Sequence, residues 1–373
     1  MKKFQIFIQK YDFQILFPIF LLVGIGIIMV YSASSVMAAK KYGDGSYFVF
    51  RQAIFAVVGI ITMLIGRQIP TRVYQVLTYP LIVLSILLLL AIPFTPMGFS
   101  AGGSARWLRL GPIMLQPSEL ARFAMIVWLA YSITKKTNER TLRYFSVGFF
   151  PHVLMMVFFV GLILLQPDFG STTILVAITF LILFIGGVRL RHFLATLIVI
   201  VPAGLYIMLG ATYRLKRITA FLDPWAYASD LGYQIIHSMM AFGSGKIWGT
   251  GIGQGVQKLF YLPEPHTDFI FAVIGEELGL IGIVVVVFLF AMIIRRGLRI
   301  ALNASSMFDS LLAAGLTCSL GLQVTINMGV NLGLLPTKGL PLPLISYGGS
   351  SLVITMFTMG VLMNISAMEI SKK

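Results

Sequence analysis

An all-α polytopic membrane fold, with ten transmembrane helices and both termini in the cytoplasm, is what this chain's composition, apolar run lengths and charge placement require. Of its 373 residues, 58% are hydrophobic and only 11% are charged. Soluble domains carry roughly a quarter charged residues, so this chain cannot cover a water-facing surface, and its length does not count soluble domains. Residues 1–373 read as one membrane domain. The single cysteine, Cys318, lies in an apolar run, which excludes an intrachain disulfide and a disulfide-stapled secreted fold.

A hydrocarbon core of about 30 Å needs roughly 20 apolar residues per helix. The first such run, 14–36, is too long for a signal-peptide core and has no small-residue cleavage site, so it is a retained span. Runs 47–66 and 74–94 follow. The fourth, 118–134, is opened by Gln116-Pro117-Ser118-Glu119, with proline where a helix's first turn accepts it. Runs 147–166 and 170–187 are separated only by Pro167-Asp168-Phe169, which demands a tight turn. The run 192–210 is the seventh, and 268–294, 306–330 and 344–367 complete the set after a long outer loop, 211–267.

Orientation follows from lysine and arginine, which concentrate on the cytoplasmic side of short loops. With an even number of spans, the termini share one side. That side holds Lys2, Lys3, Lys10, Arg67, Arg72, Lys135, Lys136, Arg140, Arg143, Arg189, Arg191, Arg295, Arg296, Arg299, Lys372 and Lys373. Short loops opposite hold only Lys40, Lys41, Arg106, Arg109 and Lys338. The net charge of +15 is therefore topological, with anionic lipid headgroups and not nucleic acid as its partner. Acidic residues lean the other way: Asp44, Glu119, Asp168, Asp223, Asp230, Glu264 and Asp268 lie at or near the outer face, and chemistry is expected there.

The loop 211–267 is rich in aromatics and glycine, a composition that suits amphipathic pieces in the headgroup region. Its Gly249-Thr-Gly251-Ile-Gly253-Gln-Gly255 run lacks the preceding strand and βαβ unit of a dinucleotide site. No nucleotide is expected, and the glycines read as backbone packed close to the membrane surface.

The charges at span ends say more. Glu119 and Arg122 are three apart and share a helix face. A self-contained ion pair would explain them, but ionisable groups inside spans usually face a protein interior or a cavity. Arg51 reads as a second buried cation at similar depth, and Arg106 lies in the preceding outer loop beside Trp107. Guanidiniums gathered at one face suit a phosphate or diphosphate, which arginine grips bidentately. The run Leu262-Pro-Glu264-Pro-His266-Thr-Asp268-Phe leads directly into the eighth span. At 100° per residue, Glu276 lies about 80° from Asp268 and Glu277 about 180° from it, both roughly 12 Å deeper. Glu276 is therefore expected to share a cavity with Asp268, and Glu277 to pair elsewhere. A helix N-cap would explain Asp268 alone, though not its histidine, glutamate and arginine neighbours together.

The last outer loop runs from Leu335 through Pro336, Lys338, Pro341 and Pro343 to Ser346 and Ser351. Its prolines make it extended and stiff, and its serines allow close helix approach and polar contacts. Four scattered histidines show no metal-site spacing, and no Ser/His/Asp triad is legible.

Six stretches together resemble the SEDS (shape, elongation, division and sporulation) family of bacterial cell-wall synthases, almost end to end. They are Arg51-Gln52, Arg106-Trp107, Gln116-Pro-Ser-Glu-Leu-Ala-Arg122, Gln166-Pro-Asp-Phe-Gly170, His266 through Gly279, and Pro336 through Ser351. Pro336-Thr-Lys-Gly-Leu-Pro-Leu-Pro and Gly275-Glu-Glu-Leu look like the division branch more than the elongation branch. One departure is Arg122, where the family often has lysine.

The resemblance implies ten spans, an outward-facing site in the bacterial cytoplasmic membrane and a place at the division septum. The implied reaction is polymerisation of lipid II, a disaccharide-pentapeptide on undecaprenyl pyrophosphate, into β-1,4 glycan with release of undecaprenyl pyrophosphate. Asp268 would be the general base. Arg51, Arg106 and Arg122 would stabilise the leaving diphosphate, alone or with a divalent cation (Mg2+ or Mn2+), and Glu119 would position Arg122. His266, Glu276 and Ser346 complete the expected substrate-binding set. The implied partners are a class B penicillin-binding protein, the transpeptidase that cross-links the strand, and small divisome regulators. Two other classes stay open at this stage. A lipid flippase would need a polar path across the membrane, and a scaffold for the transpeptidase would need neither Asp268 nor the outer arginines.

Overall fold

A computed structural model describes residues 12–101, 104–111, 113–138, 142, 144–196, 198, 202, 216, 219–230, 232–259 and 261–370. Apolar helices occupy the predicted runs: α1 (Phe13–Tyr42), α2 (Tyr47–Gln68), the short α3 (Thr71–Val76) and α4 (Thr78–Phe94). Then come α5 (Pro117–Asn138), α6 (Phe150–Leu164) after a π-helical turn, and α7 (Phe169–Ile185). After the long loop, which contributes α8 (Tyr233–Gly245), come α9 (Ile270–Asn303), α10 (Met307–Asn331) and α11 (Gly349–Ile370). Among the described residues, six helices are long and apolar enough to cross a membrane, and α4 and α7 are shorter apolar helices. The predicted seventh span, 192–210, lies largely outside the described residues, as do Lys2, Lys3, Lys10, Arg140, Arg143, Lys372 and Lys373.

Helix boundaries follow ordinary capping. Asp12 caps α1 through the Gln14 amide, and Gly43 ends it in the left-handed region at φ 76°. The tight turn between α6 and α7 is closed by Asp168, whose carboxylate accepts from the Ser171 amide at 3.1 Å. Ser306 caps α10 through the Asp309 amide.

The all-α expectation is corrected at one place. Residues 98–115 carry a three-stranded antiparallel sheet, β1 (Gly98–Ala101), β2 (Ser104–Leu110) and β3 (Ile113–Leu115). The physical reason is the alternation in Ala105-Arg-Trp-Leu-Arg, which places Leu108 in the core, 1% exposed, and leaves Arg109 outside. Gly111 turns β2 into β3 at φ 63°, a conformation L side chains rarely adopt. A period-two signal over so few residues is lost when the sequence is read for 20-residue apolar runs. The sheet matters because it carries Arg106.

Close helix approach holds the bundle. Helices α2 and α11 meet at glycines: a Cβ on Gly66 would lie 2.7 Å from the Phe357 carbonyl oxygen, and one on Gly360 only 2.1 Å from that of Met63. Such small-residue contacts let backbones touch where lipid offers no hydrophobic drive. Gly360→Ala is therefore expected to destabilise the protein by about 1–3 kcal/mol through overpacking. Gly24→Ala, where a Cβ meets nothing within 4 Å, should leave the melting temperature in detergent unchanged. Equal melting of both variants would contradict the packing argument.

Helix α10 separates two ends of the molecule. Its 25 residues span about 37 Å. At its start, Arg296 bonds Asp12 at 2.6 Å and Ser366 at 3.1 Å, tying the ends of α1, α9 and α11 together. Lys135 and Lys136 lie in the last turn of α5, and Arg295 and Arg299 lie in the last third of α9. At the far end of α10, Asn331 reaches Asp268.

Candidate functional site

Asp268 precedes α9 instead of belonging to it. Phe269 holds the N-cap position and makes no side-chain cap bond, so the Asp268 carboxylate is not used as a cap. Its backbone carbonyl is clamped instead, accepting from Asn327 Nδ2 at 3.0 Å and Asn331 Nδ2 at 2.9 Å. Asn331 Oδ1 takes over the capping, accepting from the Ala272 amide. Asn327 Nδ2 also donates to the Leu340 carbonyl at 2.6 Å, which fastens the last outer loop to the same point. No hydrogen bond from the described residues reaches the Asp268 carboxylate, which faces a cavity of about 300 Å³.

That cavity is lined by Arg106 and Trp107 of β2, Gln116, Gln234 of α8, Glu264, Thr267 and Asp268. Thr337, Lys338, Gly339, Pro341 and Tyr347 of the last loop close it. Arg106 is aimed from the sheet: Nη2 donates to the Pro167 carbonyl at 2.8 Å, and Nε is buried with no hydrogen-bond partner among the described residues. A Cβ on Gly339 would sit 3.2 Å from Arg106 Nη1 and 3.3 Å from Asp268 Oδ2, so a cation and a carboxylate flank one bare stretch of backbone. Burial, then the nearby Glu264 carboxylate, push the Asp268 carboxyl up to about 7, with Arg106 pulling the other way. Lys338, bonded to Thr173 Oγ1 at 3.0 Å, has its ammonium pKa lowered by burial.

The other predicted residues separate into three groups. Glu119 and Arg122 are ion-paired, with Arg122 Nη2 also donating to Gln323 Oε1 at 3.0 Å. They line a separate void of about 20 Å³. They connect to the main cavity indirectly, because Gln323 donates to the Pro341 carbonyl. Arg51 is exposed, not buried as its place in a span suggested, because it lies in the first turn of α2 with its guanidinium over the Tyr47 ring at 4.6 Å. Its link to the cavity among the described residues is Tyr347, whose hydroxyl it influences.

Three predicted residues lie outside the cavity lining. His266 does not line the cavity: it is 4% exposed, with its ring 4.6 Å from Phe48 and 5.7 Å from Tyr347. Burial, then Lys41, lower its pKa to about 4, so it is neutral at physiological pH and offers an anion no charge. Ser346 is spent on the chain itself, donating to the Thr267 carbonyl at 2.5 Å and accepting from the Leu342 amide at 2.8 Å. Glu276 does not share the Asp268 cavity. It accepts from the Val256 and Gln257 amides at 2.8 and 3.2 Å. The helical-wheel estimate fails because Asp268 is not on the helix. Glu277 pairs elsewhere as expected, bonding Lys258 at 2.5 Å and Ser32 at 2.7 Å.

The glycine run finds its reason here. Gly251 and Gly253 donate to the Glu277 carbonyl and side chain, and Gly249 packs its backbone against the kink of α9 at Gly279. The protein surface these glycines pack against is α9.

Sequence reasoning gave no individual site role to Gln116, Gln234 or Asp168. Asp168 is buried and gathers Gln116, Ser118 and Ser171 around its carboxylate. Its signal was present, as an aspartate directly before an apolar run. Gln234 had none, since only the folding of α8 onto the bundle brings it to the cavity.

Apolar helices long enough to span a bilayer, with a polar cavity at one end, define a multi-pass membrane protein. Residues 13–370 match the family model described as "Cell cycle protein", that of FtsW, RodA and SpoVE. The chain belongs to this family. It is 45% identical to the probable peptidoglycan glycosyltransferase FtsW of Geobacter metallireducens, over 96% of this chain and 95% of that one. With the protein of the same name from Legionella pneumophila it shares 42%, over 96% and 91%. Its fold matches a chain of a peptidoglycan synthase complex, solved to describe how polymerization and crosslinking are coordinated. The TM-score is 0.79 and the identity 29%, covering 97% of this chain and 99% of that one. The rod shape determining protein RodA of Thermus thermophilus matches with a TM-score of 0.69 and 27% identity, over 95% and 96%.

Proposed function

We propose that this chain is a peptidoglycan glycosyltransferase that polymerises lipid II in the bacterial cytoplasmic membrane during cell division. The single observation that carries the reading is the Asp268 carboxylate, without a hydrogen bond from the described residues, facing Arg106 across Gly339 in one cavity. Asp268 would accept the proton of the acceptor sugar's 4-hydroxyl as that oxygen attacks the donor's anomeric carbon. The bond to the diphosphate breaks in the same inverting displacement, and undecaprenyl pyrophosphate leaves. Arg106, whose Nε has no hydrogen-bond partner among the described residues, and Lys338 would take the charge growing on the leaving diphosphate. Arg122, ordered by Glu119, and Arg51, through Tyr347, would act from behind the cavity wall.

A divalent cation fits only in part. Among the described residues, no group of three potential metal ligands is assembled. Magnesium-type ions are commonly held by one or two carboxylates plus substrate phosphates, and Glu264 on the cavity rim is the carboxylate available for that. The ion would supply charge neutralisation on the diphosphate.

Ten crossings with both termini inside complete the reading: α5 starts beside the cavity's Gln116 and carries Lys135 and Lys136 in its last turn, a charge placement that supports an outward-facing cavity. A class B penicillin-binding protein would be the partner in the membrane, joined at the septum by divisome regulators. The exposed Trp225 and Trp248 of the long loop suit an interfacial position.

The test is strand formation from lipid II by the purified protein with its cognate transpeptidase, run beside a lipid-translocation assay. Strands without translocation support the polymerase. Translocation without strands would favour a flippase, and neither activity from an intact complex a scaffold.

The reading also fixes a pH profile. A base must be deprotonated to act, and the carboxyl of Asp268 is raised to about 7. The strand-forming rate is expected to rise through neutrality and level off about one unit above it. A rate already flat at pH 5 would show that no such group limits the reaction.

A further inference from the structure

At the end of α9 away from Asp268, a cavity of about 170 Å³ is lined by Gln14, Met292, Arg295, Arg296 and Arg299. Arg296 forms its fixed wall, locked by Asp12 and Ser366. Arg295 and Arg299 are exposed, and no ion pair among the described residues includes either. They stand one turn apart on one helix face, where two like charges repel each other unless a shared anion sits between them.

The surroundings say what kind of anion. Two turns back along the same stripe of α9 lies Phe288, 61% exposed. On α1, Phe17 is exposed one turn from the cavity's Gln14 and stacks on Phe13 at 5.7 Å. Neither phenylalanine lines the cavity itself, so a free phosphate would gain nothing from them, whereas a lipid with its headgroup there would lay acyl chains along them. Basic residues at a helix end can serve topology alone, but topology needs neither the shared cavity nor the glutamine from a second helix.

We infer that this cavity is a binding site for the phosphate headgroup of an anionic membrane lipid. Arg295 and Arg299 grip the phosphate, Gln14 donates to it, and the chains run beside Phe288 and Phe17. The site is separate from the Asp268 cavity and does not depend on the proposed reaction.

The test uses full-length protein in phosphatidylcholine nanodiscs, titrated with phosphatidylglycerol and read by native mass spectrometry of retained lipid. Phosphatidylglycerol is expected to be retained in preference to phosphatidylcholine. Arg295→Gln with Arg299→Gln should weaken that retention on the order of 30-fold, and Arg189→Gln with Arg191→Gln should not. If the double variant does not fold, Arg299→Gln alone is expected to show a partial loss. Lysine at both positions should keep part of the retention, because the charge survives while the bidentate grip does not. Retention unchanged by the substitutions would overturn the site. Equal retention of both lipids, or inorganic phosphate binding as tightly as phosphatidylglycerol, would overturn its assignment to an anionic lipid.

Discussion

Asp268→Asn is expected to lower glycan-strand formation by about 10²–10⁴-fold, the usual contribution of a positioned base, while leaving the fold intact. The second half of that expectation is what makes the experiment informative. Removing a buried charge commonly unfolds a protein when it breaks a pair, but here no hydrogen bond from the described residues reaches the carboxylate, and the residue is held by its backbone carbonyl. The raised pKa gives the sign of the stability effect. A carboxyl with a folded pKa of about 7 against an ordinary value of 3.8 binds protons more tightly in the folded state, so folding stability falls as pH rises between those values. Above pH 7 the native charge opposes folding, and asparagine removes it. The variant should therefore melt no lower than wild type at pH 8 and still associate with its transpeptidase. Strands formed at the wild-type rate would remove Asp268 from the chemistry. A loss of strands together with a lowered melting temperature would assign it a structural role.

The coarse fold was legible because bilayer thickness and charge asymmetry act on long stretches. Each helix from α1 to α11 that fills a predicted run does so because some 20 apolar residues have no other stable state in lipid. Features set by shorter stretches were less legible. The sheet carrying Arg106 rests on a handful of alternating residues. Glu276 was misplaced because a wheel drawn from Asp268 assumes a helix that starts only at Ile270. Arg51 looked buried because its run is apolar, yet the first turn of α2 lies at the bundle's rim. His266 stands out in sequence as a polar neighbour of Asp268, and Ser346 as a hydroxyl in the proline-rich last loop. The structure uses both as supports, a hydroxyl stitching two loops and a neutral ring under Tyr347. Nearness in sequence identified the loop that builds the cavity, and hydrogen-bond satisfaction decided which of its side chains remain for a ligand. By that criterion Asp268 and Arg106 are available, and Glu276 is not.

The same criterion separates two arginines that the sequence treated alike. Arg106→Gln is expected to cut strand formation by about 10²–10³-fold, the scale of losing one preorganised group that meets developing charge. Its effect on stability should be small, since the side chain makes one bond to the Pro167 carbonyl and contacts open cavity. Arg122→Gln should behave in the opposite way. Arg122 is the charge partner of Glu119, both are buried, and breaking such a pair leaves a carboxylate uncompensated, at about 3–5 kcal/mol. The expected signature is a lowered melting temperature and poor yield, with residual protein keeping more activity than the Arg106 variant. Arg106→Lys refines the assignment. An ammonium preserves the charge but not the guanidinium fork held by Pro167, so activity should recover only in part. Full recovery would mean that Arg106 contributes charge without geometry. If Arg122→Gln instead kept its stability and lost strand formation as completely as Arg106→Gln, the Glu119–Arg122 pair would have to open toward the substrate during the reaction.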